Sequence, residues 1–180
     1  MATYRKVCID VVSPEEEGPV LARSLGLPWQ PDGHGEGGLM GPQGRHLVWL
    51  NAVPDAAAKS DRVRLDIRSR RWRAIAVSSS DPLVLATWWA RVLEGTSQAD
   101  ETGTWEVARV RGMPVPLVFE PAEVPKAGPN RVHWDVTGDP DELVDFGATL
   151  LQRRGTLAWS VLADPEGNEF CVFPLDRDNR

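Results

Sequence analysis

The chain has 180 residues, with 20 Lys+Arg against 26 Asp+Glu and a formal net charge of −6. This acidic balance disfavours nucleic acid and anionic membranes as partners. Two cysteines are too few for a disulfide framework, and no segment approaches the ~18 consecutive apolar residues of a membrane span, so we expect a cytoplasmic protein.

The first seventy residues contain strand and helix patterns in alternation. KVCIDVV, from Lys6, alternates polar and apolar residues, which is typical of a half-buried strand. Its polar set is Lys6, Cys8 and Asp10. Ser13-Pro14 followed by three glutamates predicts a helix near residues 14–26. A Gly-rich loop then leads to two further strands, HLVWLNAV and RVRLDI.

The rest of the chain begins with the same order of elements. WRAIAV is a strand, and Asp81-Pro82 predicts a helix near residues 82–94. The strands WEVARVRG, PLVFEP and RVHWDV follow. Asp139-Pro140 then predicts a helix near residues 140–153. TLAWSVLADPEGNEFCVFPL finally predicts two strands joined by a tight DPEGN turn.

An internal repeat links the two halves. Residues 47–67 recur as residues 117–136, at a spacing of about 70, so that Trp49 aligns with Phe119 and Asp66 with Asp135. A repeat of this length with mixed strand and helix character indicates a supersecondary module copied in tandem. Residues 139–173 have no counterpart in the first copy.

The DPEGNEFCVF segment, with the strands NRVHWDV and LVFEP and the helix DPLVLATWWARVLEG, resembles the glyoxalase-like domains of the vicinal-oxygen-chelate superfamily. That superfamily includes glyoxalase I, extradiol dioxygenases and bleomycin-resistance proteins. The resemblance implies an α+β fold, in which tandem βαβββ modules build curled, mainly antiparallel sheets that form a cup. It predicts a partial glyoxalase-like module over residues 1–70 and a complete glyoxalase-like domain over residues 71–178.

Strand parity selects the side chains that face this cup. In RVHWDV the apolar set should pack on a helix, so His133 faces the other way. Taken with the resemblance, parity implies four metal-ligand positions, namely Ala74, Glu120, His133 and Cys171. Ala74 cannot ligate, and Cys171 stands where relatives usually carry Glu. The remaining three residues are predicted to converge on one face and would suit zinc, nickel or iron.

The alternative for these three residues is structural. A single His on a strand is more often a hydrogen-bonded cavity residue than a ligand, and a buried Cys is most often an inert hydrophobe. Glu120, which precedes Pro121, would then be solvated at a strand end.

Two functions therefore compete. In the first, the protein is a glyoxalase-like lyase, isomerase or dioxygenase with His133 and Glu120 as acid/base groups or metal ligands. In the second, it is a binding protein whose cup is lined by Trp72, Trp105 and Trp159, and the incomplete ligand set favours this one. Arg64, in the first copy, belongs either to a surface of paired charges or to a pocket for a carboxylate or phosphate.

Assembly is the last expectation from the sequence. Residues 1–70 lack a counterpart of residues 139–173, so this half-module would leave an apolar sheet face or an open edge. The rest of the chain or a second copy related by a two-fold axis would have to cover it. We predict a homodimer, with a small molecule as the ligand and neither nucleic acid nor membrane as a partner.

Overall fold

The computed structural model describes residues 1–122, 126 and 128–175. The helices in this part of the chain are α1 Pro14–Leu25, α2 Pro82–Val92 and α3 Pro140–Asp145, and a 3₁₀ turn covers Ala56–Ala58. The strands are β1 Thr3–Val11, β2 Trp29–Pro31, β3 Gly37–Met40, β4 His46–Ala52, β5 Val63–Arg68, β6 Arg71–Ser79, β7 Thr96–Ala99, β8 Trp105–Ala108, β9 Leu117–Pro121, β10 Val132–Thr137, β11 Thr149–Gln152, β12 Ser160–Ala163 and β13 Glu169–Phe173.

These strands form two mixed sheets. The eight-stranded sheet has the order β11-β12-β13-β10-β1-β4-β3-β2, and the five-stranded sheet has the order β5-β6-β9-β8-β7. Most neighbours are antiparallel, whereas β1 with β4, β10 with β13 and β6 with β9 are parallel. A strand, a helix and three strands therefore occur three times, each time with the first strand beside the last. The predicted α+β fold of βαβββ modules is confirmed.

The eight-stranded sheet joins the two ends of the chain. Strand β1 pairs antiparallel with β10, and Cys8 lies opposite His133. Strand β1 of the first module is thus covered by the last module of the same chain. Strand β5 pairs instead with β6 in the other sheet. The domain boundary at residue 70 remains a prediction, and the β1–β10 pairing runs across it.

Helix α2 lies between the two sheets. It contacts β7, β8 and β9 of the five-stranded sheet. On its other side, the Trp89 ring lies 4.7 Å from Trp134 and 5.0 Å from Phe170, measured between ring centroids. All three rings are fully buried. Trp134 therefore packs on the helix layer, as its parity predicts, and His133 points away from that layer.

The helix starts follow the sequence signals, whereas the end of α3 does not. Asp81 and Asp139 cap α2 and α3 by accepting N–H bonds from Val84 and Asp141. The prediction that the third helix reaches residue 153 is wrong, since α3 ends at Asp145. Gly147 has φ of +105°, which stops the helix, and residues 149–152 form a strand on β12.

The turn between β12 and β13 ties the two sheets together. Its Asp164 accepts N–H bonds from Glu166 and Asn168, which closes the predicted DPEGN turn. The Glu166 carboxylate then accepts bonds of 2.8 Å from the Asp81 N–H and the Ser79 hydroxyl, and it pairs with Arg62. None of the described helices is both long and apolar enough to cross a membrane.

Candidate ligand site on the eight-stranded sheet

The side chains that point away from the helices form one face of the eight-stranded sheet. Register places Trp49 beside Cys8, Cys8 opposite His133, and Cys171 beside Asp135. Because side chains alternate along each strand, the other members follow from these pairs. We call this set the polar face; it consists of Lys6, Cys8, Asp10, Trp49, Asn51, His133, Asp135, Thr137, Glu169, Cys171 and Phe173.

Three groups with metal-ligating chemistry meet at the centre of the polar face. One donor atom from each of Cys8, His133 and Asp135 lies within 4.8 Å of the other two. The Cys8 thiol donates a hydrogen bond of 3.4 Å to Asp135 Oδ2. His133 Nε2 lies 4.0 Å from Asp135 Oδ1, and Lys6 Nζ lies 3.9 Å from Asp135 Oδ2.

Burial sets the protonation of this cluster. It lowers the pKa of His133, against the opposing effect of the Asp135 charge, and so favours the neutral imidazole. Burial also raises the pKa of Asp135, and it raises the thiol pKa of Cys8, where the Asp135 charge adds to the effect. The same two causes raise the pKa of Cys171. Both thiols are therefore protonated and weakly nucleophilic.

His133 is the member of the cluster that a ligand can reach. Its side chain is 15% exposed, against 4% for Asp135. Within the described residues, its imidazole forms no hydrogen bond. A neutral imidazole has one donor and one acceptor nitrogen, so within the described residues neither nitrogen has a hydrogen-bond partner.

Two internally balanced ion pairs flank the cluster. Lys59 Nζ lies 2.5 Å from Asp10 Oδ2, and Asn51 Nδ2 donates to the other oxygen of Asp10 at 2.9 Å. On the other side, Lys126 Nζ lies 2.5 Å from Glu169 Oε1. These pairs neutralise Asp10 and Glu169.

Aromatic rings stand on both sides of the cluster. Trp49, on β4, donates from Nε1 to Glu36 Oε2 at 3.0 Å. On the far side, Phe173 packs against Trp159 with 5.1 Å between ring centroids. Strands β4 and β13 are three strand spacings apart, about 14 Å at ~4.8 Å each.

Glu120 does not join this site. We predicted that Glu120, His133 and Cys171 converge, but β9 carries Glu120 in the five-stranded sheet, whereas the other two lie in the eight-stranded sheet. Glu120 is instead the ion-pair partner of Arg64. The predicted convergence is wrong because it required β9, β10 and β13 to share one sheet, and β9 lies in the other sheet. Ala74 also lies in the five-stranded sheet, on β6.

The other predicted ligand-binding residues are divided between the sheets. Trp159 lies beside Phe173 at the polar face. Trp72 and Trp105 are partly buried against the core in the five-stranded sheet, and Trp72 Nε1 donates to the Ala74 carbonyl at 3.0 Å. Arg64 lines a mostly apolar cavity of about 570 Å³ between α1 and β5. The binding and catalytic roles assigned to these residues remain predictions.

Sequence reasoning gave Cys8 and Trp49 no role in the site, and it did not predict that Lys6 and Asp135 lie opposite each other. The alternation in KVCIDVV and RVHWDV shows which of these side chains share a face with Cys8 or His133. It does not show that β1 lies beside β10, because that contact joins residues 127 positions apart, as the Cys8–Asp135 bond illustrates.

A family model described as a glyoxalase-like domain matches residues 74–173. Among solved structures, the chain is similar to a glyoxalase/bleomycin resistance protein/dioxygenase family enzyme from Burkholderia phytofirmans PsJN, at 17% identity over 57% of this chain and 97% of that one, with a TM-score of 0.46. It is also similar to a hypothetical protein from S. aureus, at 12% identity over 61% and 95%, with a TM-score of 0.45.

A third similar structure is a glyoxalase I mutant from Zea mays, at 9% identity over 94% of this chain and 66% of that one, with a TM-score of 0.40. No curated protein matches the chain. The family model spans more than half of the 180 residues and covers the last two βαβββ modules almost completely. The chain therefore belongs to the glyoxalase-like domain family.

Proposed function

We propose that the polar face binds a small organic molecule and does so without a complete set of metal ligands. The observation that carries this proposal is His133. Its imidazole is held neutral by burial, is 15% exposed, and has no hydrogen-bond partner in the described part of the chain. A ligand that donates or accepts one hydrogen bond would satisfy one of its two ring nitrogens.

The aromatic rings support a flat ligand. Trp49 and Phe173 stand on opposite sides of the Cys8–His133–Asp135 cluster, and Trp159 extends the second wall. Stacking on such rings stabilises an aromatic ligand beyond the burial of its area, by about 1 kcal/mol per ring. The hydrogen bond to Glu36 fixes the orientation of Trp49 before a ligand arrives.

The cluster is satisfied without a cation. The Cys8 thiol already donates a hydrogen bond to Asp135, and the Lys6 ammonium lies 3.9 Å from the same carboxylate. A divalent ion bound to Asp135 would lie close to this ammonium and would be repelled by it. These contacts favour the metal-free binding protein over the metal enzyme.

The test compares 2-naphthoate and 2-naphthamide as ligands in isothermal titration calorimetry. We expect binding of at least one of them, and we expect W49F and W159F each to weaken it about fivefold, since each removes part of an aromatic wall. W72F is the matched control, because Trp72 lies in the five-stranded sheet. Failure of both ligands to bind, or an equal loss in W72F, would overturn the proposal.

A second candidate function is metal-dependent chemistry on a small substrate. The observation that favours it is the group of donor atoms from Cys8, His133 and Asp135 within 4.8 Å. These donor types suit zinc, nickel or iron, and three protein ligands leave a position open. A metal held there would polarise a substrate oxygen. Asp135 replaces Glu120 as the carboxylate nearest to the predicted base, His133.

Metal analysis of the purified protein separates the two functions. Stoichiometric metal that is lost in C8S and D135N but kept in C171S would support the second candidate with this ligand set. If C171S also loses the metal, Cys171 is a metal ligand as well, as the sequence predicted. A protein that stays free of metal after incubation with zinc, nickel and iron salts excludes the second candidate.

A further inference from the structure

The pairing of β1 with β10 contains an irregularity at Arg5. Tyr4 lies opposite Val136 and Lys6 lies opposite Asp135, so two steps along β1 match one step along β10. Arg5 is the extra residue. A bulge of this kind breaks the strict alternation of side chains and re-aims one of them.

As a result, two consecutive cations reach the polar face. The Arg5 guanidinium lies 4.3 Å from the Phe173 ring centroid and donates from Nη1 to Thr137 Oγ1 at 3.2 Å. Lys6 Nζ lies 4.6 Å from the Trp49 ring centroid. Each cation is thus held against one of the aromatic walls that flank His133.

Both cations retain unused hydrogen-bond donors. A guanidinium has five N–H donors, and Arg5 uses one of them on Thr137. The distance from Lys6 Nζ to Asp135 Oδ2 is 3.9 Å, which is too long for a hydrogen bond. In the part of the chain that the structure describes, neither cation makes a hydrogen-bonded ion pair with a carboxylate.

The acidic side chains around the polar face that the structure describes are mostly engaged. Asp10 and Glu169 pair with Lys59 and Lys126. Glu36 accepts from Trp49 Nε1 and from the Ala52 N–H. Within the described residues, Arg5 therefore has no ion-pair partner on this face, and Lys6 has only Asp135, at 3.9 Å.

We propose that Arg5 and Lys6 form an anion subsite, and that the natural ligand of the polar face is a small aromatic carboxylate. The proposal rests on the ligand-binding function proposed above and names its ligand class. The planar fork of Arg5 matches the two oxygens of a carboxylate, while Lys6 supplies a point charge on the other side of the floor. The aromatic body of the ligand would lie between the Trp49 and Phe173 rings.

The experiment measures the preference for the charged ligand. In wild type, 2-naphthoate should bind about tenfold more tightly than 2-naphthamide, because hydrogen bonds to charged groups are roughly twice as strong as neutral ones. R5Q and K6Q should each weaken naphthoate binding about fivefold and leave naphthamide binding unchanged. Unchanged amide affinity also shows that each variant has kept its folded site.

R91Q is the matched control. Arg91 also lies over a phenylalanine ring, 5.3 Å from the Phe146 centroid, but on α2. R91Q should alter neither affinity. Equal binding of the two ligands in wild type overturns the anion subsite and leaves the proposed function standing. An equal loss of naphthoate affinity in R91Q also overturns the subsite. Binding of neither ligand overturns both proposals.

Discussion

Glu166 and Arg62 form an ion pair across 104 residues, and this pair holds the two sheets together. Glu166 belongs to the turn between β12 and β13 of the eight-stranded sheet, whereas Arg62 directly precedes β5 of the five-stranded sheet. Only 12% and 8% of the two side chains are exposed, so water screens the pair weakly.

Replacing Glu166 should therefore destabilise the fold. E166Q keeps the shape of the side chain but leaves the Arg62 charge buried without its partner, and we expect a loss of about 3 kcal/mol in the free energy of unfolding. Urea denaturation measures this loss. E101Q, at an exposed turn position, should stay within about 0.5 kcal/mol of wild type. A similarly small change in E166Q would show that the pair does not join the sheets.

The contribution of Glu166 should also depend on pH. Burial acts to raise its pKa, but the hydrogen bonds from Asp81, Ser79 and Ser80 prevail, and the folded pKa lies below the ordinary value. A lowered carboxylate pKa stabilises the fold above the unfolded pKa of about 4.3, and this stabilisation is lost as the pH falls through the folded pKa. The difference between wild type and E166Q should therefore shrink below about pH 4. A constant difference from pH 7 to pH 3 would contradict this.

His133 should titrate below the ordinary histidine range. Because burial lowers its folded pKa, the folded state favours the neutral imidazole. The resulting stabilisation is present above the unfolded pKa of about 6.5 and declines as the pH falls below it. Imidazole resonances followed by NMR, assigned with H133Q, should give a midpoint below 6.5. A midpoint above that value would mean that Asp135 outweighs burial and that the imidazole is a cation in the site.

The homodimer remains a prediction, but the structural argument for it differs from the argument based on the sequence. Strand β1 of the first module pairs with β10 of its own chain, so the edge at β1 is covered. The five-stranded sheet, however, ends in β5 and β7, and a second copy would extend it at one of these edges. Light scattering at micromolar concentration should give twice the 19.9 kDa of one chain. A species of 19.9 kDa would refute the dimer.

The sequence by itself determined the local features of this protein. The alternation in KVCIDVV and RVHWDV separated Cys8 and His133 from the core, and DPEGN predicted the hairpin of β12 and β13 correctly. The DPEGNEFCVF segment also contributed to the resemblance to glyoxalase-like domains, which the family match over residues 74–173 confirms. These features depend on neighbouring residues, because strand parity and turn chemistry are set within a few positions.

Only the tertiary structure decided which modules share a sheet. Strand parity showed which side of its strand Glu120 or His133 occupies, but it could not show that the two strands belong to different sheets. It also gave no sign that Cys8 lies opposite His133. Likewise, residues 149–152 are a strand because β12 offers them a ladder of hydrogen bonds, which a local helix pattern cannot reveal. The pairing of distant strands depends on burial and hydrogen bonds between segments over a hundred residues apart, and the period of any one strand contains no information about its neighbour.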